Sequence, residues 1–202
     1  MSAAERLQYT PPLSISYPRK YTVAEYLEIE ANSDEKLEFV NGFIVKAEAG
    51  GTYEHALIGA NTIGALKNAL KGKPCKVLGS DLKIAIERFF RFPDGVVVCG
   101  EPEFHTENKT ALCNPTVLIE VVSADSDKRD YVTKRLEYFK IPSLRHYIVI
   151  EQALPFVSLY TKDANNTQSF ADFDAETPDV PLPALDITLN FADIYEGVFG
   201  VA

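Results

Sequence analysis

With 202 residues, 46% of them apolar, the chain can bury a core without a disulfide or metal staple. Its net charge of −9 argues against gripping nucleic acid by bulk electrostatics, which calls for a basic excess or stripe. The opening MSAAERLQYTPPLSISYPRK has no apolar signal core, and no run approaches the roughly 18 apolar residues of a membrane helix, so a cytoplasmic protein is expected.

In chain order, residues 1–20 read as an irregular arm, followed by a single domain over 21–202. Thr22-Val-Ala-Glu25 has the form of a capping box and predicts a short helix through YLEIEAN. Two apolar runs, LEFV and FIVK, flank Asn41-Gly42, the dipeptide suited to a type I′ hairpin turn. The longest helix is predicted over 53–71, where Leu57, Ile58, Ala60, Ile63, Leu66 and Leu70 recur near helical spacing before Gly72. CKVLGS, LKIAIERFF and GVVVCG read as successive strands, and Thr116–Val122 reads as a strand buried on both faces. A helix over about 127–140 leads to the strand HYIVI. FVSLYTK, a polar turn at Asn165-Asn166 and a proline-rich acidic tail complete the chain. Cys75, Cys99 and Cys113 are expected as reduced thiols, and with His55, His105 and His146 they form no short-range zinc ligand pair.

Glu120 is the most informative residue, because it interrupts a strand of Thr, Val, Leu and Ile. A carboxylate buried there must be paired, protonated or bound to a cation. Strand alternation places it on the face of Leu118 and Val122. Its plain alternative is a structural carboxylate paired with an arginine. Asp94 follows Pro93 and immediately precedes Gly95-Val-Val-Val98. Alone it is a turn residue and strand cap. Together, an aspartate entering one buried strand and a glutamate within another supply the hard oxygens of a Mg²⁺ site. Lys134 lies 14 residues after Glu120 on the following helix, with Tyr131 and Tyr138 on the same face and Val132, Leu136 and Phe139 as the core-facing stripe. A lysine reaching two carboxylates from such a helix could position a water or stabilise phosphate charge. Otherwise it is a solvated lysine paired with Asp130.

Several segments resemble, in order and spacing, the signatures of the Uma2 (DUF820) family. They are Thr22-Val-Ala-Glu-Tyr, Leu37-Glu-Phe-Val-Asn-Gly42, Gly79-Ser-Asp-Leu82, Phe92-Pro-Asp-Gly-Val-Val-Val-Cys-Gly100, Asn114–Ser123, Arg129–Tyr138 and Ile141-Pro-Ser-Leu144. Ala192-Asp-Ile-Tyr-Glu-Gly197 is similar to the family's ending. The resemblance implies an α/β (α+β) restriction-endonuclease-like fold of the PD-(D/E)xK type, with a central mixed sheet flanked by helices and an N-terminal helix and hairpin. It also implies a Mg²⁺ (or Mn²⁺)-dependent site in which Asp94 and Glu120 match the acidic pair. Glu38 matches the glutamate supplied from the N-terminal segment as a further metal ligand. Where many relatives of the wider superfamily carry a lysine two residues after the second acid, this chain has Val122, which points to Lys134 as the catalytic lysine. His55 is taken as a cap or core residue and Asp81 as turn chemistry.

The leading expectation is therefore a metal-dependent endonuclease hydrolysing DNA phosphodiester bonds. The alternative is a catalytically degenerate member that binds nucleic acid or protein, favoured by Val122 and the acidic balance; a third is the same site acting on RNA or another phosphodiester. Dimers are common in this fold, because cutting both strands needs two sites, so a homodimer is allowed for by analogy.

Overall fold

The computed structural model describes residues 19–47, 51–123 and 128–199, with the side chains of 128–131 outside that description. Most of the predicted arm, residues 1–18, therefore lies outside the described residues.

The capping box forms as expected. Thr22 Oγ1 accepts the Glu25 amide at 3.2 Å and Glu25 accepts the Thr22 amide at 2.8 Å, opening α1 (Val23–Ala31). Hydrogen bonding to the Thr22 amide, with help from Arg19, holds the Glu25 carboxyl down to about 2. Tyr26, fully buried, donates its hydroxyl to the Leu37 carbonyl and so ties α1 to the hairpin of β1 (Leu37–Val40) and β2 (Phe43–Lys46). Asn41 and Gly42 both adopt positive φ, 52° and 89°, as the tight turn requires.

The segment LKIAIERFF is not one strand. Glu87 turns back at φ 51°, splitting it into the antiparallel pair β4 (Lys83–Ile86) and β5 (Phe89–Arg91). These join the hairpin and β7 (Ala111–Leu112) in a five-stranded sheet ordered β2-β1-β5-β4-β7.

The second sheet is six-stranded and mixed, ordered β11-β10-β9-β8-β6-β3. It comprises β3 (Cys75–Gly79), β6 (Gly95–Cys99), β8 (Val117–Val122), β9 (His146–Glu151), β10 (Val157–Lys162) and β11 (Gln168–Phe173). Only the β8–β9 pair is parallel, and α3 (Lys128–Tyr138) makes the crossover that such a pair needs. All of β8 is buried, as its apolar run predicts. Val117, Ile119 and Val121 pack on one face against α2 (Tyr53–Ala69), through Ile58 and Leu66. Leu118 and Val122 pack on the other face with Ile84, Ile86, Phe89 and Tyr138. Glu120 alternates onto that second face, between the six-stranded sheet, the five-stranded sheet and α3.

Two further expectations are corrected. The register of β3 on β6 places Cys75 opposite Cys99 with Cα atoms 4.0 Å apart, and the two form a disulfide; Cys113 alone is a free thiol. Within the proline-rich acidic tail, β12 (Asp179–Leu182) and β13 (Ile187–Asn190) form a hairpin followed by α4 (Phe191–Ile194). It buries Val180, Leu182, Leu189, Phe191 and Tyr195 in the core shared with α2. Finally, α3 leaves Val132 and Leu136 exposed, at 42% and 58%, and buries Glu137 and Tyr138. Its inner face meets carboxylates and a guanidinium, so its polar side chains turn inward. Among the described residues no helix is long and apolar enough to cross a membrane.

Candidate active site

The antiparallel register of β6 and β8 pairs Gly95 with Ile119. One step further along, this brings Asp94, the residue that enters β6, beside Glu120 of β8. Asp94 is fixed by the backbone: its Oδ2 accepts the Val121 amide at 2.7 Å. Its side chain remains 21% exposed.

Glu120 is nearly sealed, with 6% of its surface exposed. Its Oε1 accepts the Tyr138 hydroxyl at 2.7 Å and its Oε2 accepts Lys134 Nζ at 3.1 Å. Burial pushes its carboxyl upward, Lys134 pulls it back down, and the Asp94 charge pushes it up again. Burial, reinforced by Glu120, also holds the Tyr138 phenol far above its usual range, so it stays a donor. Lys134 and Tyr138 are i and i+4 on α3 and therefore act on the same target. Tyr131, expected on the same face, lies outside the described side chains, as does Asp130.

His55 is more than a cap. It sits in the first turn of α2 with its Nε2 3.5 Å from Asp94 Oδ2. The adjoining Asp94 carboxylate raises its pKa, against the lowering effect of burial. The packing here leaves no room at Gly51, where a Cβ would fall 2.5 Å from His55 Nδ1. Asp81, by contrast, is an exposed turn residue whose carboxylate pairs with Lys36 at 2.6 Å.

Glu38 comes to the same groove, but both of its oxygens are engaged. Oε2 accepts Arg91 NH1 at 2.8 Å and Oε1 accepts the Phe92 amide at 3.0 Å. Arg91 in turn donates Nε and NH2 to Glu137 Oε2, at 3.1 and 2.9 Å. Sequence reasoning passed over Arg91 and Glu137. The signal was available in Arg91, a charge closing the apolar run of β5, just as Glu120 interrupts that of β8.

His55, Asp94, Glu120, Lys134, Glu38 and Arg91 all line one groove of about 1400 Å³. Among the described residues no three His, Cys, Asp or Glu side chains gather into a ready-made metal cage. Two carboxylates on adjacent strands do fit a hard cation that keeps several waters, as Mg²⁺ does. Each Glu120 oxygen accepts one hydrogen bond and retains further acceptor capacity.

The α+β architecture, with its central mixed sheet and the acidic pair where two buried strands meet, defines a restriction-endonuclease-like fold. A crystal structure of "a putative nuclease belonging to DUF820 from Anabaena variabilis ATCC 29413" superimposes with a TM-score of 0.69, covering 86% of this chain and 97% of its own. At 18% identity that likeness speaks for the fold alone. Residues 23–192 match the sequence model of Uma2, described as "Putative restriction endonuclease", and the chain belongs to that family. Two relatives come from Synechocystis sp. (strain ATCC 27184 / PCC 6803 / Kazusa). The "uncharacterized protein sll1609" is 32% identical over 144 residues, covering 70% of this chain and 80% of the relative. The "uncharacterized protein slr1290" is 26% identical over 181 residues, covering 89% and 93%.

Proposed function

We propose that the chain is a Mg²⁺- or Mn²⁺-dependent endonuclease that hydrolyses DNA phosphodiester bonds. The observation that carries this reading is the meeting of Asp94 and Glu120 at one end of adjacent strands, with Lys134 3.1 Å from Glu120, in an open groove. Asp94 and Glu120 would hold the cation, which when bound would polarise a scissile phosphate and lower the pKa of an attacking water. Lys134 would stabilise charge building on the phosphate or orient the water from the other side of Glu120. Tyr138 would keep the Glu120 carboxylate turned toward the groove. His55 would restrain Asp94 from the α2 side.

A second reading, a non-catalytic binding member of the family, draws support from the neutralisation of Glu38 by Arg91 and from the net charge of −9. Cleavage of supercoiled plasmid in Mg²⁺ or Mn²⁺ separates the two. Nicking or linearisation by the wild type that Asp94→Ala abolishes supports the nuclease. Intact plasmid with retained DNA binding in both proteins supports the second reading.

A further inference from the structure

We infer that Glu38, Arg91 and Glu137 form a positioning device that aims Lys134 at Glu120, so that Glu38 serves the site through α3 rather than as a metal ligand. This rests on the reading of Glu120 and Lys134 as parts of a hydrolytic site.

The argument starts from how α3 is held. Its middle exposes Val132 and Leu136, so apolar burial does not fix its rotation there. Its inward face is instead Lys134, Glu137 and Tyr138, at i, i+3 and i+4. Each is engaged by a partner on a strand: Lys134 and Tyr138 by Glu120 of β8, Glu137 by Arg91 of β5. Arg91 is itself held from the far side by Glu38 of β1. The three side chains are 6–10% exposed, so little water competes for these bonds.

The planar guanidinium makes the device directional. Two of its nitrogens converge on a single Glu137 oxygen while the third addresses Glu38, so the β1–β5 sheet fixes where Glu137 stands. Burial opposes the charge on Arg91, but Glu38 and Glu137 more than offset it and raise its pKa. One turn of α3 then carries that position to Lys134. Glu38 spends one oxygen on Arg91 and the other on the Phe92 amide, a pairing that suits a buttress better than a metal ligand.

The test uses the full chain and the isosteric variants Glu38→Gln and Glu137→Gln, with Arg91→Lys as a further variant that keeps the charge but loses the fork. In each variant, calorimetric titration with Mn²⁺ alone, plasmid cleavage and the ¹⁵N resonance of the Lys134 ammonium are measured. If the device positions Lys134, Glu137→Gln lowers kcat about 10–100-fold, the range seen when partners behind a site residue are lost. KM and Mn²⁺ affinity stay within about 2-fold, and the same change made in Lys134→Met costs almost nothing more, as expected for residues acting as a unit. Glu38→Gln keeps Mn²⁺ affinity, and the Lys134 ammonium signal moves toward that of a solvated lysine in both variants. Arg91→Lys, which keeps the charge but not the fork, shifts the signal in the same direction by a smaller amount. The inference is overturned if Glu38→Gln abolishes Mn²⁺ binding, if Glu137→Gln costs as much in Lys134→Met as in the wild type, or if the ammonium signal does not move. Should the wild type neither bind Mn²⁺ nor cleave, the nuclease reading fails, and the ammonium signal alone still decides whether the three residues position Lys134.

Discussion

Asp94 Oδ2 accepts the backbone N–H of Val121 at 2.7 Å, so the first acid of the site is anchored to the residue that follows the second. This bond and the β6–β8 register fix the two carboxylates relative to each other. Such preorganisation is what a two-carboxylate cation site needs, since like charges this close repel.

Metal binding should depend on Glu120. Replacing it with glutamine keeps the shape and the Tyr138 hydrogen bond but removes the charge. Calorimetric titration with Mn²⁺ is expected to show binding to the wild type and its loss in Glu120→Gln. Equal binding by both would move the ligand role to other residues.

The Tyr138 hydroxyl donates to the buried Glu120 Oε1 at 2.7 Å. Tyr138→Phe removes that donor and leaves Oε1 under-satisfied, a loss of about 1–3 kcal/mol. Urea unfolding should show a lower midpoint with an unchanged slope. An unchanged midpoint would mean that water or Lys134 takes over the bond.

His146 should make the fold sensitive to acid. Its Nε2 accepts the Ala184 amide at 3.2 Å, which requires a neutral ring with its proton on Nδ1, directed at Thr161 Oγ1 3.1 Å away. Burial, with Arg145 adding to it, lowers its pKa from 6.5 to about 4. Between those values the unfolded chain holds a proton that the folded chain does not. The stabilisation is therefore complete above about pH 6.5 and is lost as pH falls toward 4, by at most about 3–4 kcal/mol at roughly 1.4 kcal/mol per unit. His146→Gln should flatten the dependence of the urea midpoint on pH across this window. Parallel curves for the two proteins would assign the acid sensitivity elsewhere.

Local signals carried much of the fold. Thr22 with Glu25, Asn41-Gly42 and the apolar runs of β8 and β9 each specify their element within a few residues, and each formed as read. Asp94 and Glu120 could be paired because each interrupts or opens a buried strand. Long-range polar chemistry was harder to see. Whether Val132 and Leu136 or Lys134 and Glu137 face inward depends on Arg91 and Glu120, 46 and 14 residues before their partners, and periodicity alone favours the apolar stripe. The Cys75–Cys99 bond follows from a strand register that composition does not reveal. His55 reaches Asp94 only because the start of α2 lies over the β6–β8 junction. In the tail, prolines and acids alternate with Val180, Leu182 and Leu189, which supply the buried face of a short hairpin that no local motif announces.

The central claim is that Asp94, Glu120 and Lys134 act together on a phosphodiester, and Lys134→Met tests it most directly. Single-turnover plasmid cleavage by this variant should be slower by about 10²–10³, the loss of a preorganised charge donor worth roughly 3–4 kcal/mol, with Mn²⁺ affinity nearly intact. Lys140→Met, just beyond the C-terminal end of α3 and 3.9 Å from exposed Glu87, should cleave close to the wild-type rate, and Lys128→Met should do likewise. If all three variants cleave as fast as the wild type, Lys134 is a structural partner of Glu120 and the catalytic arrangement proposed here is wrong.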